Sequence, residues 1–112
     1  MTIEELLIKY EIDYPPCGAS CGEGWFSLIE KLFQDLIAAG WNRELFQLKE
    51  KFGSLRIYVN DASDSIYELI DKAENASSSI CEVCGRQGGI QMVTKYWMKC
   101  VCESCRLFWP PK

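Results

Sequence analysis

Two cysteine pairs, Cys81-x2-Cys84 and Cys102-x2-Cys105, lie near the C-terminal end of the chain with residues 85–101 between them. Two Cys-x2-Cys pairs separated by roughly 15–20 residues form the spacing of a zinc ribbon. Each pair turns the backbone so that two thiolates face one ion, and the intervening residues return the second pair to it at Zn–S distances of about 2.3 Å. Gly85 follows the first pair, where a tight turn requires a residue free to take positive φ. Four thiolates close a tetrahedral zinc and leave no position for water, so the expected cofactor is one structural Zn2+ held by Cys81, Cys84, Cys102 and Cys105.

The rest of the chain bounds the architecture around that ribbon. The 112 residues suit one domain, expected as an α+β core over 1–80 and a zinc ribbon with an apolar tail over 81–112, packed as one unit. The start, Met1-Thr2-Ile3-Glu4-Glu5, is acidic where a secretory signal is basic and then apolar. No apolar run approaches the roughly 18 residues of a membrane span. The expected location is therefore cytoplasmic. Thiols stay reduced there, so 7 cysteines argue for metal over disulfides. The sequence contains no histidine, which removes a Ser-His-Asp triad, a Cys-His dyad and a histidine metal site. Acidic residues outnumber basic ones 16 to 12, and phosphate binding needs a basic footprint. Broad nucleic-acid binding is thus disfavoured, although residues 81–112 are locally basic through Arg86, Lys95, Lys99, Arg106 and Lys112 against Glu82 and Glu103.

Thr2-x-x-Glu5 reads as a capping box opening a helix that ends near Tyr10, with Ile3, Leu6 and Leu7 on one face. Residues 11–24 read as loop. Helical spacing resumes at Trp25, with Phe26, Ile29, Leu32, Phe33, Leu36 and Ile37 apolar and Gly40 as the C-terminal stop. From Leu45 the period becomes two. Phe46, Leu48 and Phe52 alternate with Gln47, Lys49 and Lys51. Gly53-Ser54 then turns the chain into a strand whose inward set is Leu55, Ile57 and Val59. Glu50 falls on the apolar face, which a bulge or a polar contact would explain. A further helix follows Asn60–Asp64 with Ile66, Leu69, Ile70, Ala73 and Ala76 as its stripe, and Ile90–Thr94 with Tyr96–Val101 makes a ribbon hairpin. The expected fold class is α+β: helices packed on a small antiparallel β-hairpin sheet, closed by a C-terminal four-cysteine zinc ribbon.

Candidate chemistry concentrates at three places. Lys49, Lys51, Arg56 and Tyr58 share the outward face of the hairpin, where cations meet a phosphate or carboxylate and an aromatic ring supplies stacking. An ordinary solvated strand face has the same pattern. Cys21-Gly22-Glu23-Gly24-Trp25-Phe26 sets two glycines just before a helix, so the backbone approaches something closely. Trp25 there is either core or a ligand platform beside the cations. Cys17, Cys21 and Cys100 are either a second metal site completed by a carboxylate or buried thiols packing as small apolar groups.

Three stretches together carry a resemblance: Cys21-Gly22-Glu23-Gly24-Trp25-Phe26, Leu48-Lys49-Glu50-Lys51-Phe52-Gly53-Ser54-Leu55-Arg56-Ile57-Tyr58, and an acidic helix running into Cys81-Glu82-Val83-Cys84-Gly85. Over roughly residues 18–105 the chain resembles a group of small zinc-ribbon proteins carried by phages, prophages and bacterial genomes. In that group the position of Cys100 is usually another residue. The resemblance implies a compact protein that works by occupancy, as inhibitors of host defence, nucleotide sponges and toxin-immunity proteins do.

The resulting expectation is a non-enzymatic binding protein, an inhibitor or sponge that captures a small anionic or nucleotide ligand through Lys49, Lys51, Arg56, Tyr58 and Trp25. The alternative is a protein–protein inhibitor or immunity module for a basic partner, with Trp41, Trp97, Phe108 and Trp109 as anchors. A nucleic-acid-binding ribbon comes third, and a carboxylate enzyme using Glu23 or Glu50 last. A free edge on so small a sheet would also allow a homodimer.

Overall fold

The computed structural model describes residues 2–87, 90–93 and 99–106. Trp97, Phe108, Trp109, Lys95 and Lys112 lie outside the described residues.

The first helix, α1 (Ile3–Lys9), opens on the expected capping box: Thr2 Oγ1 accepts from the Glu5 N–H, and the Glu5 carboxylate accepts from the Thr2 N–H. Ile3, Leu6 and Leu7 enter the core. Helix α2 (Phe26–Ala38) buries Ile29, Leu32, Phe33 and Leu36 and stops at Gly40, whose φ is +91°. The N–H groups of Gly40 and Trp41 return to the carbonyls of Ile37 and Leu36, the paired bonds of a Schellman ending. That ending delivers Trp41 onto Phe33, stacked at 6.1 Å between ring centroids. Trp41 is therefore core, not an exposed anchor.

The central sheet has three strands in the order β1 (Ala19–Ser20), β2 (Leu45–Lys51), β3 (Ser54–Val59). It is mixed, where an antiparallel hairpin alone was expected: β1 pairs parallel to β2 with Ala19 opposite Leu48 and Ser20 opposite Lys49. The stretch expected as loop thus contains a strand of two residues, tied on by Cys17 N–H to Phe46 O at 3.1 Å and Leu48 N–H to Gly18 O at 3.0 Å. Two residues carry no readable periodicity.

The register of β2 also departs from simple alternation. Leu45 pairs with Val59 but Gln47 with Tyr58, so Phe46 is the extra residue of a bulge. Leu45 and Leu48 are buried while Phe46 is exposed, which corrects its placement in the inward set. The turn is Phe52-Gly53, with Lys51 opposite Ser54, in place of Gly53-Ser54. Both turn residues have positive φ, +53° and +81°, as a type I′ turn requires. Phe52 stands at the tip, exposed, and not in the core. Glu50 caps that turn by accepting from the Gly53 N–H at 2.8 Å.

Helix α3 (Asp64–Ser77) starts at Ser63, whose Oγ accepts from Ile66 N–H, and buries Ile66, Ile70, Ala73 and Ser77; Ala76 faces out. It lies along the outer edge of β3. Leu55 N–H donates to Ser77 Oγ at 3.0 Å and Ile57 N–H to the Glu74 carboxylate at 2.9 Å. The edge on which a strand-paired dimer would form is covered at those positions by side chains of the same molecule. Beyond α3, strands β4 (Ile90–Val93) and β5 (Lys99–Cys102) form the antiparallel ribbon hairpin, and α4 (Glu103–Arg106) carries the last cysteine. No helix among the described residues is long and apolar enough to cross a membrane.

Candidate metal centre and sheet face

The four ribbon cysteines converge. The sulfurs of Cys81, Cys84, Cys102 and Cys105 all lie within 4.8 Å of one another, and Cys84 Sγ is 3.7 Å from Cys102 Sγ. A tetrahedral ion with sulfurs at the zinc–sulfur length of about 2.3 Å sets them about 3.8 Å apart. The set is therefore placed to hold one metal ion. Cys81 and Cys102 are buried, Cys105 is half-buried and Cys84 is exposed.

Their acidities diverge in the way four crowded sulfurs dictate. Burial pushes the Cys81 thiol up, but the backbone N–H groups of Cys102, Cys84 and Val83 directed at it outweigh this and bring it down to about 6. Burial raises Cys105, and its hydrogen bonds to Cys102, Cys81 and Cys84 take it further, to about 12. A bound cation would stabilise all four as thiolates.

The knuckle is seated on the turn before α2. Gly24 N–H donates to Glu82 O at 2.8 Å, Gly22 N–H donates to the Glu82 carboxylate at 3.0 Å, and the Trp25 indole N–H donates to Ile80 O at 2.9 Å. A Cβ on Gly24 would stand 2.1 Å from Cys81 O and 2.6 Å from Gly85 N, and one on Gly22 would stand 2.2 Å from Glu82 O. These are backbone atoms and cannot rotate away. The close approach for which the two glycines make room is thus the metal knuckle of the same chain. Trp25 is fully buried and offers no ring face to a ligand, which corrects its assignment as a platform. Glu82 is buried beside the knuckle and had no signal in the sequence beyond its position.

The remaining cysteines stay apart. Among the described residues, Cys17, Cys21 and Cys100 do not gather into a second metal-ligating group. Cys100 is buried with its sulfur 3.3–3.5 Å from the carbonyls of Ser77, Ser78 and Ile80, at the end of α3. Burial, with the nearby charges of Cys81 and Glu82, pushes its thiol up to about 11. It is a core thiol that closes a helix end.

The structure brings Lys49, Lys51, Arg56 and Tyr58 together on the sheet side opposite Leu48, Leu55 and Ile57. Lys49 is directly across from Arg56, and Tyr58 from Gln47. Lys49 Nζ stands 5.9 Å from the centre of the Tyr58 ring, and Arg56 approaches Glu74 at 3.5 Å. The face is open. Among the described residues, surface clefts of about 240–550 Å³ include one between α1 and α2 around Ile8, Tyr10 and Arg43, one beside Cys84 around Glu23 and Ser27, and two more around Leu69 and around Asn42. None of those four is lined by Lys49, Lys51, Arg56 or Tyr58. No protein-family profile, curated protein or solved structure matches this chain.

Proposed function

We propose that this chain is a non-enzymatic binding protein in which one structural zinc, held by Cys81, Cys84, Cys102 and Cys105, fixes the ribbon to the core, and the outer sheet face takes an anionic ligand of nucleotide chemistry. Zinc is the ion chosen by tetrahedral thiolate ligation in a chain without histidine. When bound it supplies charge neutralisation and a cross-link between two knuckles, and four protein ligands leave no site for substrate.

The observation that carries the ligand reading is that Lys49, Lys51, Arg56 and the exposed Tyr58 share one face of a single hairpin, with Lys49 over the Tyr58 ring. Cations on a strand pair are positioned by the ladder, so a phosphate meets them without loop ordering. Of the two candidate catalytic carboxylates, Glu50 is used to cap the turn. The second reading, a protein partner gripped by tryptophans, loses Trp41 to the core.

Calorimetric titration with a panel of nucleotides tests the proposal. Arg56→Ala should weaken binding by about 1.5–3 kcal/mol, the size of a charged hydrogen bond. Binding that survives Arg56→Ala combined with Lys51→Ala would remove the sheet face as the site.

A further inference from the structure

Phe52 is the one residue of the hairpin whose conformation works against the fold. A type I′ turn favours Asn-Gly or Gly-Gly because both central residues take positive φ. A bulky side chain at φ +53° is a genuine outlier. Strain of this kind that persists points to use. The ring is 66% exposed, and Lys51 Nζ, on the outward face, stands 5.7 Å from its centre. Phe52 therefore extends the cationic face to the hairpin tip.

The register gives the order along that face. Tyr58 stands opposite Gln47, then Arg56 opposite Lys49, then Ser54 opposite Lys51, then Phe52 at the turn. From the Gln47–Tyr58 pair to Phe52 the backbone runs about 16 Å at about 3.3 Å per residue, with Lys49, Arg56 and Lys51 along that stretch. Phe46, displaced outward by the bulge, adds a half-exposed ring at the Tyr58 end. A lone nucleotide is held by a pocket that encloses most of its surface; this face is open and longer than one nucleotide.

We infer that the occupant of the sheet face is a short single-stranded nucleic acid, its bases stacking on Tyr58 and Phe52 and its phosphates tracking Lys49, Arg56 and Lys51. This rests on the anionic-ligand reading above and narrows it. Single strands bind by aromatic platforms joined by a basic track. A span of about 16 Å corresponds to roughly five stacked nucleotides at about 3.4 Å each. Net charge argues against broad nucleic-acid binding, because 16 acids face 12 bases over the whole chain. That argument applies to the molecular surface at large. Beside this strip, Glu50 lies on the other side of the sheet, across from Leu55, and Glu74, which accepts from Ile57 N–H, is ion-paired with Arg56. The acidic remainder confines a polyanion to the strip.

The test is fluorescence anisotropy of the metal-loaded protein with a labelled oligothymidylate of roughly ten nucleotides, against thymidine monophosphate as competitor. The oligomer should bind with log K falling against log salt at a slope of about −2, as three phosphate contacts on a single strand give. Phe52→Asn keeps the turn and removes the ring, so it should raise the thermal midpoint and weaken the oligomer about 5- to 100-fold. Tyr58→Leu should weaken it comparably. An affinity unchanged by Phe52→Asn, or a slope near zero, overturns the inference. A mononucleotide bound as tightly as the oligomer also overturns it, while leaving the sheet-face reading standing. Failure of both ligands to bind the folded protein removes both.

Discussion

Apart from Glu11, Arg43 and Asp61, which also take positive φ, two turns in this molecule depart from ordinary backbone practice, and they do so for opposite reasons. At Gly22 and Gly24 the chain omits side chains, and the space is filled by the backbone of Cys81–Gly85 at distances no Cβ would tolerate. At Phe52–Gly53 it keeps a large side chain in a conformation suited to glycine or asparagine, and the ring stands in solvent. The first departure is offset inside the fold by three hydrogen bonds to the knuckle segment. The second costs about 1–2 kcal/mol for a left-handed L-residue, against which stands the Lys51 contact to the ring. A glycine-rich turn that looks like a ligand cradle is here a structural joint, and a hairpin tip that looks like part of a core strand is the exposed oddity.

Removing the zinc proposed for the four-cysteine site should break the first region most. Structural zinc in ribbon-sized units contributes about 10–16 kcal/mol of apparent binding free energy at neutral pH. A strong chelator should unravel the knuckles and release Trp25, whose indole N–H is held by Ile80 O. The Trp25 indole resonance in a nitrogen–proton correlation spectrum reports this directly. A resonance that stays in place after chelation would show that the joint does not depend on the ion.

Gly24→Ala should follow. Its Cβ would overlap three backbone atoms of the knuckle, so the joint must open, with an expected loss of about 3–5 kcal/mol in denaturant unfolding. The same substitution at Gly40, where no atom lies within 4 Å of the added carbon, is strained only by its positive φ. It should cost about 1–2 kcal/mol. Equal losses at the two sites would mean that conformation alone, and not the docked knuckle, sets the requirement at Gly24.

Ser77→Ala probes the covered sheet edge, which separates the two regions. Ser77 Oγ accepts from the buried Leu55 N–H, and alanine leaves that donor without its acceptor. The expected loss is about 1–3 kcal/mol. If the exposed edge then pairs with another molecule, sedimentation should detect a dimer that the native chain does not form by that route.

How much of this was legible in the sequence depends on the range of the contact. Local chemistry was: the Thr2–Glu5 capping box, the Gly40 stop, the alternation of Leu55 and Ile57, and the cysteine spacing all act within a few residues or within one repeat. The strand at Ala19–Ser20 was not, because two residues have no period. The bulge at Phe46 shifted β2 by one residue and reversed the reading of Phe46. Phe52 kept an apolar identity in a position whose requirement is conformational. The partner of Gly22 lies 60 residues away in Glu82. A glycine announces that something comes close, and only the fold says what.

Phe52→Asn gives the smallest stability change and separates the two regions most cleanly. Asparagine tolerates the left-handed conformation, and Asn-Gly is the preferred pair of a type I′ turn. Relief of the strain should contribute about 1–2 kcal/mol, raising the thermal midpoint, whereas Gly24→Ala at the knuckle joint lowers it. The Lys51 contact to the ring is lost, which subtracts about 0.5–1 kcal/mol at an exposed site. Lys51→Ala in both backgrounds resolves this. A gain from Phe52→Asn that grows when Lys51 is already alanine measures the strain alone. A loss in both backgrounds would mean that the ring stabilises the turn, and the tip would then be structural like the joint.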